Sequence, residues 1–189
     1  MKITFIFLEY LLAITVLFSC KNNKKNADVL RKMELKPIEL CVNRLPCYIN
    51  GIDTCGYIPK DYNHLLVVNI DSTECTSCRI SHLHQWYEWF GLAEDKNMHF
   101  SIIIVIQPKS DEVFNISNKL RRNSQIHKNI PLYLDINGSF LKKNFNFSIP
   151  PTMQTMLLDK NDSIVYVGNP LINNNIKKDI ISILHNNKK

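Results

Sequence analysis

The sequence contains no phosphate loop, no paired-carboxylate site and no Ser-His-Asp arrangement, so it gives no indication of these enzyme chemistries. It also has no internal repeat and no recognisable nucleic-acid-binding motif. The net charge of +6 is spread thinly apart from basic clusters at 21–25 and 188–189. Because neither cluster is interleaved with aromatic residues, we expect no binding to nucleic acid.

What the chain does have at its start is an apolar run over residues 3–18, interrupted by Glu9 and followed by Ser19-Cys20. A small residue before a cysteine at the end of such a run resembles a bacterial lipoprotein signal peptide. We expect residues 1–19 to be that signal peptide and Cys20 to carry the lipid, including palmitate. An uncleaved membrane anchor is the alternative, because the run is close to the length that spans a bilayer. Both interpretations place the remaining residues outside the cytoplasm.

About 170 residues follow, enough for one domain with a sizeable core. Residues 20–36 are polar and predict a tether, with a short helix at 28–35. Residues 37–189 predict one domain, in which 37–60 form an N-terminal β-hairpin extension and 61–185 form the core. The hairpin is indicated by alternating apolar residues before the dipeptide Asn50-Gly51, which favours a two-residue turn.

The centre of the predicted core is residues 65–70, a continuous apolar run rich in Val that is typical of a strand buried on both faces. Cys75 and Cys78 follow it. Apolar residues then recur at helical spacing, at Ile80, Leu83, Tyr87 and Phe90. Since Ser72 and Thr73 supply capping hydroxyls, the cysteines fall in the first turn of this helix. Unpaired N–H groups at a helix start favour a thiolate, so the pair predicts a reactive dithiol.

Further elements follow along the chain. We predict a second buried strand at 99–106, a helix after Ser110, a short strand at 131–135, a short helix at 139–144, an antiparallel strand pair at 154–158 and 163–167, and a final helix through 176–184. The order is βαβα, then a β-hairpin, then α. It predicts an α/β fold with a central mixed sheet.

In this order the chain resembles the thioredoxin fold and, within it, the membrane-anchored, extracytoplasmic thiol-disulfide oxidoreductases related to TlpA and ResA. The resemblance covers about 61–185 and is carried by three stretches, VVNIDSTECTSC, IPPTMQTMLLD and LLDKNDSIVYVGNP. It implies a three-layer thioredoxin-like fold and a location in the cell envelope, lipid-anchored and facing the periplasm. It also implies partner proteins with thiols or disulfides, and no cofactor besides the redox-active disulfide.

The resemblance assigns roles to four residues. Cys75 would be the exposed nucleophile, and Cys78 the more buried resolving cysteine. Pro151, followed by Thr152, is the candidate for the cis-proline that lies opposite the dithiol in the family and helps to bind the partner.

The chain departs from the family pattern near these residues. Asn69 stands where thioredoxin has a buried aspartate, and Glu74 where a tryptophan is common. The family's proline usually lies six residues before the aspartate of the hairpin turn, and in this chain that position is Met153.

Three cysteines remain, Cys41, Cys47 and Cys55, an odd number for an oxidising compartment. We expect two of them to form a structural disulfide around the Asn50-Gly51 turn. Cys47 with Cys55 flanks that turn most symmetrically, and Cys41 with either partner is the alternative.

Two other functions are compatible with the sequence. His82 shares a helix face with Cys75 and Cys78, and His84 is close by, so copper or zinc binding and delivery on the same fold is one alternative. A redox-inactive binding module is the other. Since a histidine on an amphipathic helix is usually packed or solvated, we expect no bound metal.

Overall fold

The computed structural model describes residues 26–33, 37–73, 75–122 and 130–186. The predicted signal peptide and Cys20 lie outside the described residues. The chain divides into two compact units, residues 1–35 and 36–189. In the first unit, residues 26–33 form a helix, α1, which overlaps the helix predicted at 28–35. Within the described ranges, no helix is both long and apolar enough to cross a membrane.

The second unit combines strands and helices along the whole of its described length. Its strands are β1 (Cys47–Ile49), β2 (Ile52–Asp53), β3 (His64–Ile70), β4 (Phe100–Ile106), β5 (Leu132–Leu134), β6 (Thr155–Asp159) and β7 (Ile164–Val167). Its α-helices are α2 (Thr76–Ser81), α3 (Tyr87–Glu94), α4 (Val113–Arg122), α5 (Ser139–Asn144) and α6 (Asn174–Asn186). Short 3-10 helices span Val42–Arg44, Leu83–Trp86, Lys96–Met98 and Pro151–Met153.

The seven strands form one mixed sheet in the order β2-β1-β5-β4-β3-β6-β7. The pairs β3–β4 and β4–β5 are parallel, as strands joined by helical crossovers require. The pairs β3–β6 and β6–β7 are antiparallel, so the last two strands form the predicted hairpin. The predicted order of βαβα, hairpin and α is confirmed, and the fold is thioredoxin-like.

The central strand β3 is buried over its whole length. It lies between β4 and β6, and its Val and Ile side chains fit the pleated, fully covered surface of a central strand. The large core on one side of the sheet joins residues of β3 and β4 to buried residues of α2, α3, α4 and α6. Ile70, the last residue of β3, is buried in this core. The predicted site begins directly after it.

The N-terminal β1–β2 hairpin forms around Asn50-Gly51, as predicted, and joins the sheet through antiparallel pairing of β1 with β5. Gly51 has a φ of +78°, a conformation that side chains with a Cβ rarely adopt. A Cβ at Gly51 would also lie 2.5 Å from the carbonyl oxygen of Arg121. Both the turn and the close approach of α4 therefore require glycine here.

The helix predicted after the dithiol is interrupted. It ends at Ser81, and His82, with φ −101° and ψ 13°, leads into a 3-10 helix before α3 begins. A 3-10 turn has three residues, not 3.6, so the buried face shifts along the sequence. Tyr87, predicted on the apolar face, is 44% exposed. The aromatic residues that are buried in this segment are Trp86, Trp89 and Phe90.

Candidate active site

The predicted dithiol follows the buried end of β3, separated from it by a tight turn. The Asp71 side chain accepts hydrogen bonds from the backbone N–H of Thr73, at 2.9 Å, and from the Thr73 hydroxyl. The prediction that Ser72 and Thr73 cap the following helix is wrong, because the Thr73 hydroxyl donates to Asp71 and the N-cap residue of α2 is Cys75.

Cys75 and Cys78 are joined by a disulfide, with a Cα–Cα distance of 5.3 Å. The backbone N–H of Cys78 also points at the Cys75 Sγ, at an N···S distance of 3.3 Å. One helical turn therefore brings both sulfurs together, as their spacing predicts. Both cysteines are exposed, so a thiol or disulfide of another protein can reach this pair.

A buried polar network lies at the end of β3, beside the segment that leads to the cysteines. The Asn69 Nδ2 donates to the Gln154 Oε1 at 2.9 Å, and the Gln154 Nε2 donates to Asp71 at 2.6 Å and to the Ile149 carbonyl at 3.2 Å. The three polar side chains, Asn69, Gln154 and Asp71, are at most 8% exposed. The network therefore connects the turn before Cys75 to the segment that enters β6.

Gln154 is absent from the predicted site. It lies 85 residues from Asn69 and 83 from Asp71, so no local spacing links them. The one signal in the sequence is a glutamine directly before an apolar strand. Polar side chains at such a place are buried only when they are hydrogen-bonded.

Pro151 and Thr152 are exposed and open the 3-10 helix that precedes β6. The described residues contain no cis peptide bond. The backbone N–H of Asn69 donates to the Gln154 carbonyl at 2.9 Å, so Gln154 and not Pro151 is the residue next to the end of β3. The role of Pro151 and Thr152 in binding a partner stays a prediction.

Among the described cysteines outside the pair, Cys41, Cys47 and Cys55 carry free thiols. Cys47 is fully buried and Cys55 is exposed. Burial raises the pKa of the Cys47 thiol, and burial also raises the pKa of the Cys41 thiol. A raised pKa favours the protonated thiol, which is a weaker nucleophile than the thiolate. The predicted structural disulfide is not formed in this structure and stays a prediction.

The histidines of the metal alternative do not converge with the cysteines on one point. His82 Nδ1 lies 2.7 Å from the Cys78 carbonyl oxygen, which accepts its proton, and the ring centroids of His82 and His84 are 6.0 Å apart. Within the described ranges, no group of three or more His, Cys, Asp or Glu side chains is placed to hold a metal ion. The metal-binding alternative gains no support from this arrangement.

No protein-family model and no curated protein matches this chain. Among solved structures, it is similar to StoA from Bacillus subtilis, with 19% identity over 66% of this chain and 86% of StoA, and a TM-score of 0.44. The exposed lipoprotein thioredoxin Etrx1 from Streptococcus pneumoniae shows 18% identity over 67% of this chain and 86% of its own, with a TM-score of 0.45.

Peroxiredoxin Q from Xanthomonas campestris is 14% identical over 82% of this chain and 99% of its own, with a TM-score of 0.48. Since all three TM-scores are below 0.5, these likenesses assign neither a fold to this chain nor a role to any of its residues. The strand order and connections described above are those predicted from the sequence for a thioredoxin-like sheet. The chain is therefore a protein of the thioredoxin-like fold, and the resemblance predicted from its sequence is confirmed at the level of that fold.

Proposed function

We propose that this protein is a lipid-anchored thiol-disulfide oxidoreductase of the cell envelope that exchanges disulfides with partner proteins through Cys75 and Cys78. The observation that carries the proposal is the exposed Cys75–Cys78 disulfide, placed directly after the central strand of a thioredoxin-like sheet. A rigid strand end fixes the position of the pair, while exposure leaves it open to a second protein.

In the reductive direction, the Cys75 thiolate attacks one sulfur of a partner disulfide. The S–S bond of the partner breaks, a mixed disulfide forms, and one partner sulfur leaves as a thiolate. The Cys78 thiolate then attacks the Cys75 sulfur and displaces the second partner sulfur. The partner gains two electrons and, from solvent, two protons, and the chain is left with the Cys75–Cys78 disulfide. The reverse sequence oxidises a dithiol.

The strand pairing supports a partner contact at Pro151 and Thr152. Because β6 is antiparallel to β3, it begins at the edge of the sheet where β3 ends, and Thr155 pairs with Val68. The exposed segment before β6 and the segment carrying the cysteines therefore leave the sheet at the same edge. We assign Pro151 and Thr152 to the surface that holds the partner backbone beside the mixed disulfide.

The proposal includes no cofactor other than the disulfide itself. Anchoring through lipid on Cys20 would hold the domain at the membrane facing the periplasm, with the tether at 20–36 between them. The partners are then envelope proteins that carry thiols or disulfides. This compartment also lets the pair cycle through its oxidised form.

Insulin reduction in the presence of dithiothreitol tests the mechanism with the full chain. Wild type is expected to accelerate insulin precipitation, and Cys75→Ser is expected to reduce the rate to the background of dithiothreitol alone. Cys55→Ser, which removes an exposed thiol outside the pair, serves as the matched control and should retain wild-type activity. Equal rates for Cys75→Ser and wild type would rule out Cys75 as the nucleophile.

A further inference from the structure

Lys119 reaches from α4 to the short helix that carries the dithiol. Its Nζ donates hydrogen bonds to the Ser77 carbonyl at 2.9 Å, to the Ser77 hydroxyl at 3.0 Å and to the Ser81 hydroxyl at 2.7 Å. An ammonium group has three donors, so all of them are used on α2. The Ser81 hydroxyl also donates to the Ser77 carbonyl at 3.0 Å, which holds the acceptors together.

Of the two residues that Lys119 binds, Ser77 stands between the two cysteines in the sequence. The Lys119 charge is therefore fixed at the helical turn that places both sulfurs, and it comes from a residue 42 positions further along the chain. Within the described ranges, the salt bridges are Lys143–Glu39 and Lys177–Glu88, neither of which involves Lys119. Among these residues, Lys119 therefore forms no direct ion pair with a carboxylate.

We propose that Lys119 is a positioning residue for the dithiol whose fixed positive charge stabilises the Cys75 thiolate in the reduced protein. The proposal rests on the proposed function and deepens it. A nearby positive charge favours the charged form of a thiol. Stabilising the reduced form also shifts the thiol-disulfide equilibrium toward the dithiol, so the oxidised chain becomes a stronger oxidant.

Other charged groups near the dithiol stay constant when only Lys119 is changed. Asp71 precedes the cysteines and is held by Thr73 and Gln154, while Arg79 and His82 belong to α2 or its end. Glu74 precedes Cys75 in the sequence. Because these groups are common to all Lys119 variants, a difference between the variants reports on residue 119 alone.

The test is the pH dependence of iodoacetamide alkylation at Cys75 in the reduced full chain, read by mass spectrometry, for wild type and Lys119→Met. Removing the unit charge that is hydrogen-bonded to Ser77, between the two cysteines, should raise the Cys75 pKa by about half a unit to one unit. At a pH below the Cys75 pKa, the thiolate fraction then falls about three- to ten-fold; at a pH above it, the glutathione equilibrium shifts toward the disulfide by up to the same factor. A Cys75 pKa and a glutathione equilibrium unchanged from wild type would overturn the proposal.

Two further variants separate charge from structure. Lys119→Gln keeps hydrogen-bond donors without the charge, and should shift the Cys75 pKa as far as Lys119→Met does. If Lys119→Gln keeps the wild-type pKa, hydrogen bonding and not charge is the cause, and the proposal fails. Lys142→Met is the matched control, because its ammonium also donates to a backbone carbonyl, that of Asn137, and should leave the Cys75 pKa unchanged.

These measurements need no partner protein, so they distinguish the two proposals. An inactive wild type in the insulin assay with a pKa shift in Lys119→Met would overturn the proposed function and leave the electrostatic role of Lys119 intact. A wild type that is active in the insulin assay, without a Cys75 pKa shift in Lys119→Met, would support the proposed function and overturn the electrostatic role of Lys119. If Lys119→Met fails to fold by circular dichroism, the comparison rests on Lys119→Gln.

Discussion

Replacing Gln154 with leucine removes a side chain that makes three hydrogen bonds in a buried site. The amide is 2% exposed, accepts from Asn69 and donates to Asp71 and to the Ile149 carbonyl. Leucine fills much of the same volume, so the main effect is on the polar groups left behind. The Asn69 amide, one Asp71 oxygen and the Ile149 carbonyl oxygen would each lose a partner while staying buried.

The structure sets the magnitude of this effect. Each buried polar group left without a partner costs about 1–3 kcal/mol, so the Asn69 and Asp71 side-chain groups alone cost roughly 2–6 kcal/mol in the free energy of unfolding. The change is measured by urea unfolding followed by tryptophan fluorescence, since Trp86 and Trp89 are both buried. A loss below about 0.5 kcal/mol for Gln154→Leu would refute the reasoning, because that is the size expected for an ordinary surface substitution.

A double-mutant cycle sharpens the test. Asn69→Leu alone leaves the Gln154 Oε1 unpaired, whereas Asn69→Leu with Gln154→Leu leaves the Asp71 oxygen and the Ile149 carbonyl, but neither amide, without a partner. The double variant should therefore lose less stability than the sum of the two single variants, by about 0.5–3 kcal/mol. Additive losses would mean that the hydrogen bond between the two amides contributes nothing to the free energy of unfolding.

Two further predictions concern stability. Gly51→Ala should lower the free energy of unfolding by about 1–3 kcal/mol, because the new Cβ would overlap the Arg121 carbonyl. Gly56→Ala, also at positive φ but with no atom within 4 Å of its Cβ, is the control and should cost less; equal losses would contradict the steric account. Burial lowers the pKa of His64 below 6.5, so the unfolded chain binds the extra proton first as the pH falls. Stability should therefore decrease from about pH 6.5 downward until the folded pKa is reached, and His64→Gln should flatten that slope in urea unfolding at several pH values; an unchanged slope would contradict it.

The strands at the centre of the sheet are predictable because burial on both faces requires a continuous run of apolar residues. The predicted strand 65–70 and the predicted strand 99–106 each differ from β3 and β4 by one residue. Continuous runs of Val, Ile and Leu fit few other structures at that length. The disulfide-bonded pair is also predictable from sequence, since two cysteines three residues apart after such a strand need no long-range information.

The local details around the pair are less predictable, because several side chains compete for the same backbone groups. The hydroxyls of Ser72 and Thr73 predict helix caps. Asp71, however, accepts hydrogen bonds from the Thr73 N–H and hydroxyl, and the N-cap residue is Cys75. The 3-10 turn after His82 likewise overrides a regular helical period. Propensity does not decide between such alternatives, which depend on packing.

Contacts made across the fold leave no local signal. Lys119 binds Ser77 from 42 residues away, and Gln154 binds Asp71 from 83 residues away. Periodicity reports which face of an element is buried, not which polar residue of a distant segment meets it. Unlike the cysteines, these two side chains are distant in the sequence from the segment to which they are hydrogen-bonded.

The pairing of Asn69 with Gln154 gives a physical reason for the departure from thioredoxin at position 69. The Gln154 Nε2 already donates to Asp71 and to the Ile149 carbonyl, which leaves its Oε1 facing residue 69. That position needs a donor, and the Asn69 amide supplies one. An aspartate there would set a carboxylate against the Gln154 oxygen and bury it near Asp71, a costly arrangement. With the Gln154 amide in this orientation, a carboxylate at residue 69 would therefore be destabilised. Since Cys75 and Cys78 are both exposed, solvent can take up the proton that the resolving thiol releases in the proposed exchange.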